Sequence, residues 1–515
     1  MGKQETASSS SKTFAVEEDP YRIEAINDDD HDPRRRLGLW STTFLIFNRM
    51  IGTGIFATPA SVLLSAGSVG MALIFWVIGT LIAVAGMTVY LEYGTAIPKS
   101  GGEKNYLEFV YRRPKLLATC VYAWQSVLLG WAGSNSIVFG QYVLFVFNVE
   151  PGDWNSRALG LLCVTFAFLI HAVAYKWGVR VQNALGVFKI IVLLIVVFSG
   201  FAALGGHLKI PKPDNFSNAF DGTTDNAYNY ASGLYKVIWS FIGYSNANYA
   251  LGEVKRPIRT IKIAAPLAIG IVSALYMFAN IAYFAGVPLE QFRNSGVLIA
   301  GQFFINVFGE TFGRRVLPAF VALSALGNVM SVIFSQGRIN QELGKEGVLP
   351  FSRVWASNWP FKAPFAGLGL HWVFSVIMML APPPGSAYNF IVDVITYPLT
   401  VVNVFIAIGL LWLRFNRDRF QWKSPFNAPL VCIIFFLACN VLLVIFPFLS
   451  PPGGAPDIGY VYWLPSLVGI LVLVAGALYW AVWWVLLPKL GGYQYERVKS
   501  ELADGTPIFE YRKIK

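Results

Sequence analysis

The sequence predicts an all-α integral membrane protein with twelve transmembrane helices, and three observations carry that reading. Of 515 residues, 55% are hydrophobic and 13% charged, against about 25% charged in an ordinary soluble domain. Apolar stretches near 20 residues or longer recur along the chain, each long enough to cross a bilayer. Lys and Arg alternate between rich and poor loops, with 19 on one side of the predicted bundle and 6 on the other. That bias puts the N-terminus inside, and twelve spans then bring the C-terminus back to the cytoplasm. The net charge of +11 is therefore an orientation signal that needs no nucleic-acid partner.

In chain order, residues 1–36 form a polar, acidic tail with little to bury. Ser8–Ser11, Glu17–Asp19 and Asp28–Asp30 dominate it, and Arg34–Arg36 abut the first span. No early apolar segment marks a cleavable signal. Lys3 and Lys12 offer sites to ubiquitin ligase machinery, and the serine run and acidic clusters to phosphorylation; a plain solvated tail is the alternative. The spans lie near 38–66, 70–97, 116–147, 158–175, 179–205, 229–252, 263–286, 313–337, 364–381, 387–413, 428–449 and 460–487. The transporter-sized body is thus 37–487, followed by a polar cytoplasmic tail at 488–515. After span 2, Asn105–Arg113 reads as a short surface helix. Asn215-Phe216-Ser217 is a glycosylation sequon in a predicted outer loop. Cys120, Cys163, Cys432 and Cys439 all fall in spans and read as buried thiols. His171 and His371 lack a second ligand at metal spacing. No nucleophile–base pair or phosphate loop is present, so neither an enzyme nor a metal or other cofactor is expected.

Two spans carry breaks. Asn48-Arg49-Met50-Ile51-Gly52-Thr53-Gly54-Ile55-Phe56 lies inside span 1, and each Gly weakens a helix by about 1 kcal/mol relative to Ala. Span 6 holds Trp239-Ser240-Phe241-Ile242-Gly243, followed by a polar run to Asn248. Ile51-Gly52 and Ile242-Gly243 are 191 residues and five spans apart. Five is odd, so the second half is inverted relative to the first: repeat one at 37–205, repeat two at 229–413, and two further helices at 428–487. Interrupted helices at matching points of two halves mark a transporter site at the bilayer midplane. Opening span 1 frees N–H groups from Gly52 to Ile55, which suit a carboxylate. Opening span 6 frees carbonyls around Trp239, Phe241 and Ile242, which accept from an ammonium. Together they describe an α-amino acid site. Each Gly pair alone reads equally well as a helix-packing contact.

These residues resemble the amino acid–polyamine–organocation superfamily, in particular its L-type amino acid transporter branch. Ile51–Phe56 is similar to the family's first-helix motif, and Pro98-Lys99-Ser100-Gly101-Gly102-Glu103 to its motif after helix 2. Trp239–Gly243 resembles helix 6 of the bacterial arginine/agmatine antiporter, and Arg180-Val181-Gln182-Asn183 with Lys189 resembles helix 5 of the L-type branch. Asn48–Met50 and Tyr244–Tyr249 look most like the fungal high-affinity methionine permeases. The resemblance implies a five-plus-five inverted-repeat (LeuT/APC-like) fold and alternating access. It implies a substrate carboxylate at Thr53 and Gly54, an ammonium at the helix 6 carbonyls, and Trp239 closing over the substrate. Lys189 stands where sodium-coupled relatives hold sodium. The antiporter's gating glutamate matches Ser245 here, and the outer-loop cysteine that binds a heavy chain in animal relatives is missing, so no disulfide-linked partner is expected.

Ionisable residues at membrane depth are costly and usually functional. Lys189 is therefore a proton-coupling candidate, or a fixed charge on the helix-end carbonyls of span 1. Asp393 in span 10 is a second proton site or a partner of another helix. Glu92 and Glu253 are read as members of an inner salt-bridge gate, and Lys236 as lying nearer the outer mouth. Ser134, Asn135, Ile137, Ser324, Asn328, Ser331, Thr396 and Tyr397 are pocket candidates that also serve as packing contacts; Asn328 and Tyr397 complete the proposed site. The functional expectation is a plasma-membrane importer of a neutral apolar L-amino acid, with methionine the expected substrate, coupled to protons. An amino acid sensor with little flux and an exchanger of other specificity are the alternatives.

Overall fold

The first apolar stretch folds as three helices, α1 (Leu39–Met50), α2 (Gly54–Ala57) and α3 (Pro59–Ala66), in a computed structural model that describes residues 35, 37–381, 387–449 and 461–515. The N-terminal tail and its lysines lie outside the described residues. α1 stops where Ile51 leaves the helical region, at ψ 91°. Pro59 opens α3, a position where its missing N–H costs nothing. α4 (Val69–Ala96) runs unbroken from the Ser68 cap, whose side chain accepts from the Met71 N–H. α5 (Glu103–Val110) was expected on the surface. It is buried instead, because Tyr106 stacks on Tyr93 of α4 at 4.8 Å.

The third stretch also differs from expectation. It is interrupted at Gly130–Ala132, giving α6 (Leu117–Leu129) and α7 (Gly133–Val146), and Gln336 donates to the Ser126 carbonyl at 2.8 Å beside that gap. α8 (Asp153–Val173) and α9 (Tyr175–Leu204) follow, then α10 (Ala227–Phe241), which gives way to a 3₁₀ segment at Asn246–Glu253. After α11 (Pro257–Gly286), the loop expected at 287–315 contains α12 (Leu289–Asn294) and α13 (Ile299–Phe308). Both are too short to span. They pack by the buried rings of Phe292, Phe303 and Phe304.

α14 (Glu310–Lys345) is the central pillar, touching α7, α8, α9, α13 and α16. The remaining elements are α15 (Ser352–Ala356), α16 (Phe365–Leu380), α17 (Ala387–Phe415), α18 (Arg417–Phe420), α19 (Leu430–Ile445), α20 (Leu464–Trp480) and α21 (Leu487–Gly491). Among the described residues, eight helices are long and apolar enough to cross a membrane. The tail at 488–515 is not featureless: it forms an antiparallel hairpin of β1 (Gln494–Glu501) and β2 (Pro507–Ile514).

Two side-chain readings from the sequence change. Asn215 is buried, and its amide donates to the carbonyls of Phe284 and Val287, both at 2.7 Å; the sequon nitrogen is thus committed inside the fold. Cys120 and Cys163 are buried as expected, whereas Cys432 and Cys439 are half-buried.

Polar contacts gather at the end of the bundle where α1 begins, called the base below. Leu37 pairs with Val254, and Lys104 meets Glu346 at 2.8 Å. Glu346 also binds Arg497 of β1 at 2.8 Å. Burial would raise the Glu346 carboxyl, but Lys104 and Arg497 outweigh it and hold that group below the usual carboxylate range. A depressed carboxylate stabilises at neutral pH and loses that contribution as pH falls through its folded value. Glu346→Gln should therefore loosen the hairpin at neutral pH, and wild type should loosen as pH falls through the lowered Glu346 value. Trypsin cleavage after exposed Lys489 should rise several-fold in the variant. An unchanged rate would assign the docking to the Trp484–Tyr511 contact instead.

Candidate functional site at two helix breaks

Ending α1 in the interior strands its last carbonyls, and three other helices supply their partners. The Lys189 ammonium (α9) donates to the Asn48 carbonyl at 3.0 Å. The Asn328 amide (α14) donates to Arg49 at 3.1 Å and Asn48 at 3.3 Å. The Tyr276 hydroxyl (α11) reaches the Met50 carbonyl at 2.7 Å and the Ser240 carbonyl at 3.1 Å. Asn135 (α7) completes the frame, donating to Asn328 Oδ1 at 2.7 Å and accepting from the Thr53 hydroxyl. On the other side of the break, the N–H groups of Gly52, Thr53, Gly54 and Ile55 have no acceptor among the described residues. The carbonyls are capped and the donors left open.

The second break faces the first. α10 ends at Phe241, Ile242 turns to ψ 123°, and Gly243 sits at φ +127°. The Trp239 carbonyl accepts from the Ile242 N–H at 3.2 Å, while those of Phe241 and Ile242 have no donor among the described residues. Glycine is needed for this approach. A Cβ on Gly54 would lie 2.7 Å from the Ser240 Cα, and one on Gly243 would lie 2.5 Å from Arg49 Cγ. A Cβ on Gly52 would meet only the Asn328 amide, at 2.5 Å.

The space between the breaks measures about 10 Å³, lined by Arg49, Gly52, Thr53, Gly54, Trp239 and Ile242 among others. That admits about one water, so the site is closed in this structure. A larger cavity of about 100 Å³ adjoins it and shares Arg49, Trp239 and Ile242.

The other predicted residues divide. Asn328 and Lys189 join the breaks, both as carbonyl caps. Tyr397 does not: its ring packs on Phe448 and its hydroxyl donates to the Val444 carbonyl at 3.3 Å. Tyr388, nine residues earlier on α17, lies beside Thr53 and Trp239 with its buried hydroxyl unpartnered. Nothing local separates those two tyrosines in sequence; only the rotation of α17 does. Asp393 lies beside Lys236, whose ammonium is held by Ser232 at 2.6 Å. Glu92 is buried and saturated by Arg414, by Trp422 at 3.2 Å and by the Ala428 N–H at 2.8 Å. It staples α4 to α17 and lines neither cavity. Glu253 pairs with Arg338 at 2.6 Å, tying the 3₁₀ segment to α14.

A family model described as "Amino acid permease" matches residues 37–484. The chain belongs to the amino acid permease family. The permease is 46% identical to the high-affinity methionine permease of Saccharomyces cerevisiae over 89% of this chain and 81% of that one. It is 33% identical to the low-affinity methionine permease of the same yeast, covering 93% and 88%. It is 28% identical to b(0,+)-type amino acid transporter 1 of Mus musculus, covering 82% and 84%. The superfamily resemblance read from the motifs is thus borne out, and the permease is an integral membrane protein.

The break geometry ranks its glycines. Gly54→Ala sets a methyl against backbone and should abolish uptake. Gly52→Ala meets a side-chain amide that can yield, and should keep a measurable fraction. Asn328→Ala removes two carbonyl caps at about 1–3 kcal/mol for groups left unsatisfied, and should lower the melting temperature as well as uptake. Uptake and thermal melts of the three purified variants check this order; equal loss in both glycine variants would contradict it.

Proposed function

We propose that the permease imports a neutral apolar L-amino acid, methionine, across the plasma membrane by alternating access. The single observation that carries this reading is the pair of facing breaks: open N–H donors at Gly52–Ile55 and open carbonyls at Phe241 and Ile242. A zwitterion answers both at once. Its carboxylate takes the donors at the positive end of a helix, and its ammonium takes the carbonyls, with Gly243 allowing the chain to turn away. Trp239 and Tyr388 close over the side chain. The names of the two yeast relatives support methionine as that side chain. We read the bundle as twelve spans in a five-plus-five inverted repeat, with the base and both termini in the cytoplasm; the excess of Lys and Arg in the loops on that side supports this orientation.

Proton coupling is proposed at Lys189. Its ammonium is buried and bound to the carbonyl of Asn48, four residues before the open part of the break. Loss of that proton would turn a charge-assisted cap of α1 into a weaker neutral one and so loosen the site, which is the link that coupling requires. Asp393, beside Lys236 and away from the breaks, is the second candidate. Glu253–Arg338 is proposed as a base gate.

A competition panel of amino acids in uptake assays at two pH values tests the whole reading. Methionine should compete best, and uptake should rise at the more acidic outer pH. Failure of methionine to compete would remove the substrate assignment. Lys189→Met should retain exchange of labelled for unlabelled substrate yet lose accumulation driven by a pH gradient. Full proton-driven accumulation in that variant would remove the coupling role.

A further inference from the structure

Glu103 opens α5 and is 1% exposed, yet no Lys, Arg or His pairs with it among the described residues. Other acids of the base are treated differently. Glu92, equally buried, is met by Arg414 of α17 and by the Ala428 N–H. Glu346 is met by Lys104 and Arg497, so the lysine next to Glu103 in the chain is committed elsewhere. Arg49 lines the same cavity as Glu103 but makes no ion pair with it.

What faces Glu103 is a set of tyrosines. Tyr249 of the 3₁₀ segment donates to Oε1 at 2.8 Å, and the Tyr122 hydroxyl of α6 lies 3.4 Å from Oε2. Tyr90 of α4, Tyr106 of α5 and Tyr244 stand near. The first two give their hydroxyls to Asn403 at 2.9 Å and Asn248 at 3.0 Å. On α5 itself, Glu108 accepts from Thr119 at 3.0 Å. Glu103 thus joins α5, α6 and the 3₁₀ segment through hydroxyls alone. A carboxylate buried without a counter-charge is costly, and burial pushes this carboxyl above its ordinary range, outweighing the hydrogen bonds that lower it. The protonated form fits its partners: Oε1 accepts from Tyr249 while an Oε2–H donates to the Tyr122 hydroxyl, so both oxygens are satisfied with no charge buried. The adjoining cavity of about 100 Å³ has room for about three waters at about 30 Å³ each. Gln125, Ser126, Ser245 and Gln336 are among its lining, so a proton can reach the carboxyl through water.

We propose that Glu103 is a positioning residue that closes the base when protonated and releases it when ionised. Protonated, it pins the 3₁₀ segment to α5 and α6 through Tyr249 and Tyr122. Ionised, it is stable only once water reaches it, which displacement of the segment provides. The proton passes between Oε2 and water: one O–H bond forms on closing and breaks on opening, and no other bond changes. A group held above its ordinary range in the closed base stabilises that state at low pH and withdraws the contribution as pH rises through the raised value. Glu253, at the other end of the segment, acts with the opposite sign, because its ion pair with Arg338 needs the ionised form. This role rests on the transporter reading above and adds control by cytoplasmic pH: an acid cytoplasm holds the base closed.

Hydrogen–deuterium exchange of the purified full-length protein, without substrate, reads the pin directly. Corrected for the intrinsic pH dependence of exchange, protection of residues 246–253 should fall several-fold as pH rises from mildly acid to mildly alkaline. Glu103→Gln, a permanent mimic of the protonated form, should lose that fall and stay protected, and Glu103→Asp should restore a pH-dependent profile. Tyr249→Phe, which deletes the tie, should be poorly protected even at acid pH; gel filtration checks that each variant remains monodisperse. A flat wild-type profile, which needs no variant to observe, would overturn the proposal, as would an unchanged pH dependence in Glu103→Gln. In proteoliposomes, acidifying the side that the base faces should slow methionine uptake by wild type and leave the rate of Glu103→Gln unaltered. If methionine is not carried, that arm fails with the substrate assignment, and the exchange profile still decides the role of Glu103.

Discussion

The rest of the site depends on how α1 ends. In a bilayer interior every backbone polar group needs a partner, and a helix that stops halfway leaves carbonyls on one side and N–H groups on the other. The chain treats the two sides differently. Asn48, Arg49 and Met50 have their carbonyls capped by Lys189, Asn328 and Tyr276, donors delivered by three separate helices. Gly52–Ile55 keep their N–H groups open. That asymmetry gives the break a polarity suited to an anion. It also couples the break mechanically to α9, α11 and α14, since none of these can shift without uncapping a carbonyl.

The same caps explain why the two breaks sit so close. Tyr276 spans them with one hydroxyl, reaching the carbonyls of Met50 and Ser240. Thr58 approaches Ser240 at 3.2 Å, and Gly54 lets the backbones touch. The N–H groups of the first break and the carbonyls of the second are therefore held at a spacing set by the protein itself, the preorganisation that the proposed zwitterion site would use.

Legibility in the sequence followed how local each signal was. Both breaks could be read because the residues that cause them, Gly52, Gly54 and Gly243, sit at the breaks themselves. Lys189 could be read because a lone lysine in an apolar span is conspicuous, and its contact with a helix-end carbonyl was one of two readings its position allowed. What could not be read was rotation and long-range partnership. Tyr397 and Tyr388 share a helix, and only its packing shows which one faces Trp239. Glu92 and Glu103 flank one loop, but Arg414, Trp422 and Ala428, which neutralise Glu92, lie more than 300 residues away. The gap at Gly130–Ala132 and the short helices α12 and α13 carry no periodicity strong enough to separate them from a span or a loop.

The closed break and the open cavity beside it point to where movement is least costly. The 3₁₀ segment Asn246–Glu253 is held along its length by hydrogen bonds and one ion pair. Asn246 donates to the Leu45 carbonyl at 3.1 Å, Tyr249 to Glu103, the Gly252 N–H to Ser100 at 3.0 Å, and Glu253 meets Arg338. A 3₁₀ helix has weaker internal hydrogen bonds than an α-helix, and Ala250 already departs from helical geometry inside it. Each polar tie can be exchanged for water at a net cost of about 0.5–1.5 kcal/mol, or about 1.5–3 for those to charged groups. Moving α14 instead would disrupt its packing against eight helices. These polar ties are thus the exchangeable contacts of the base, and the cavity the segment borders is the space that its displacement would open.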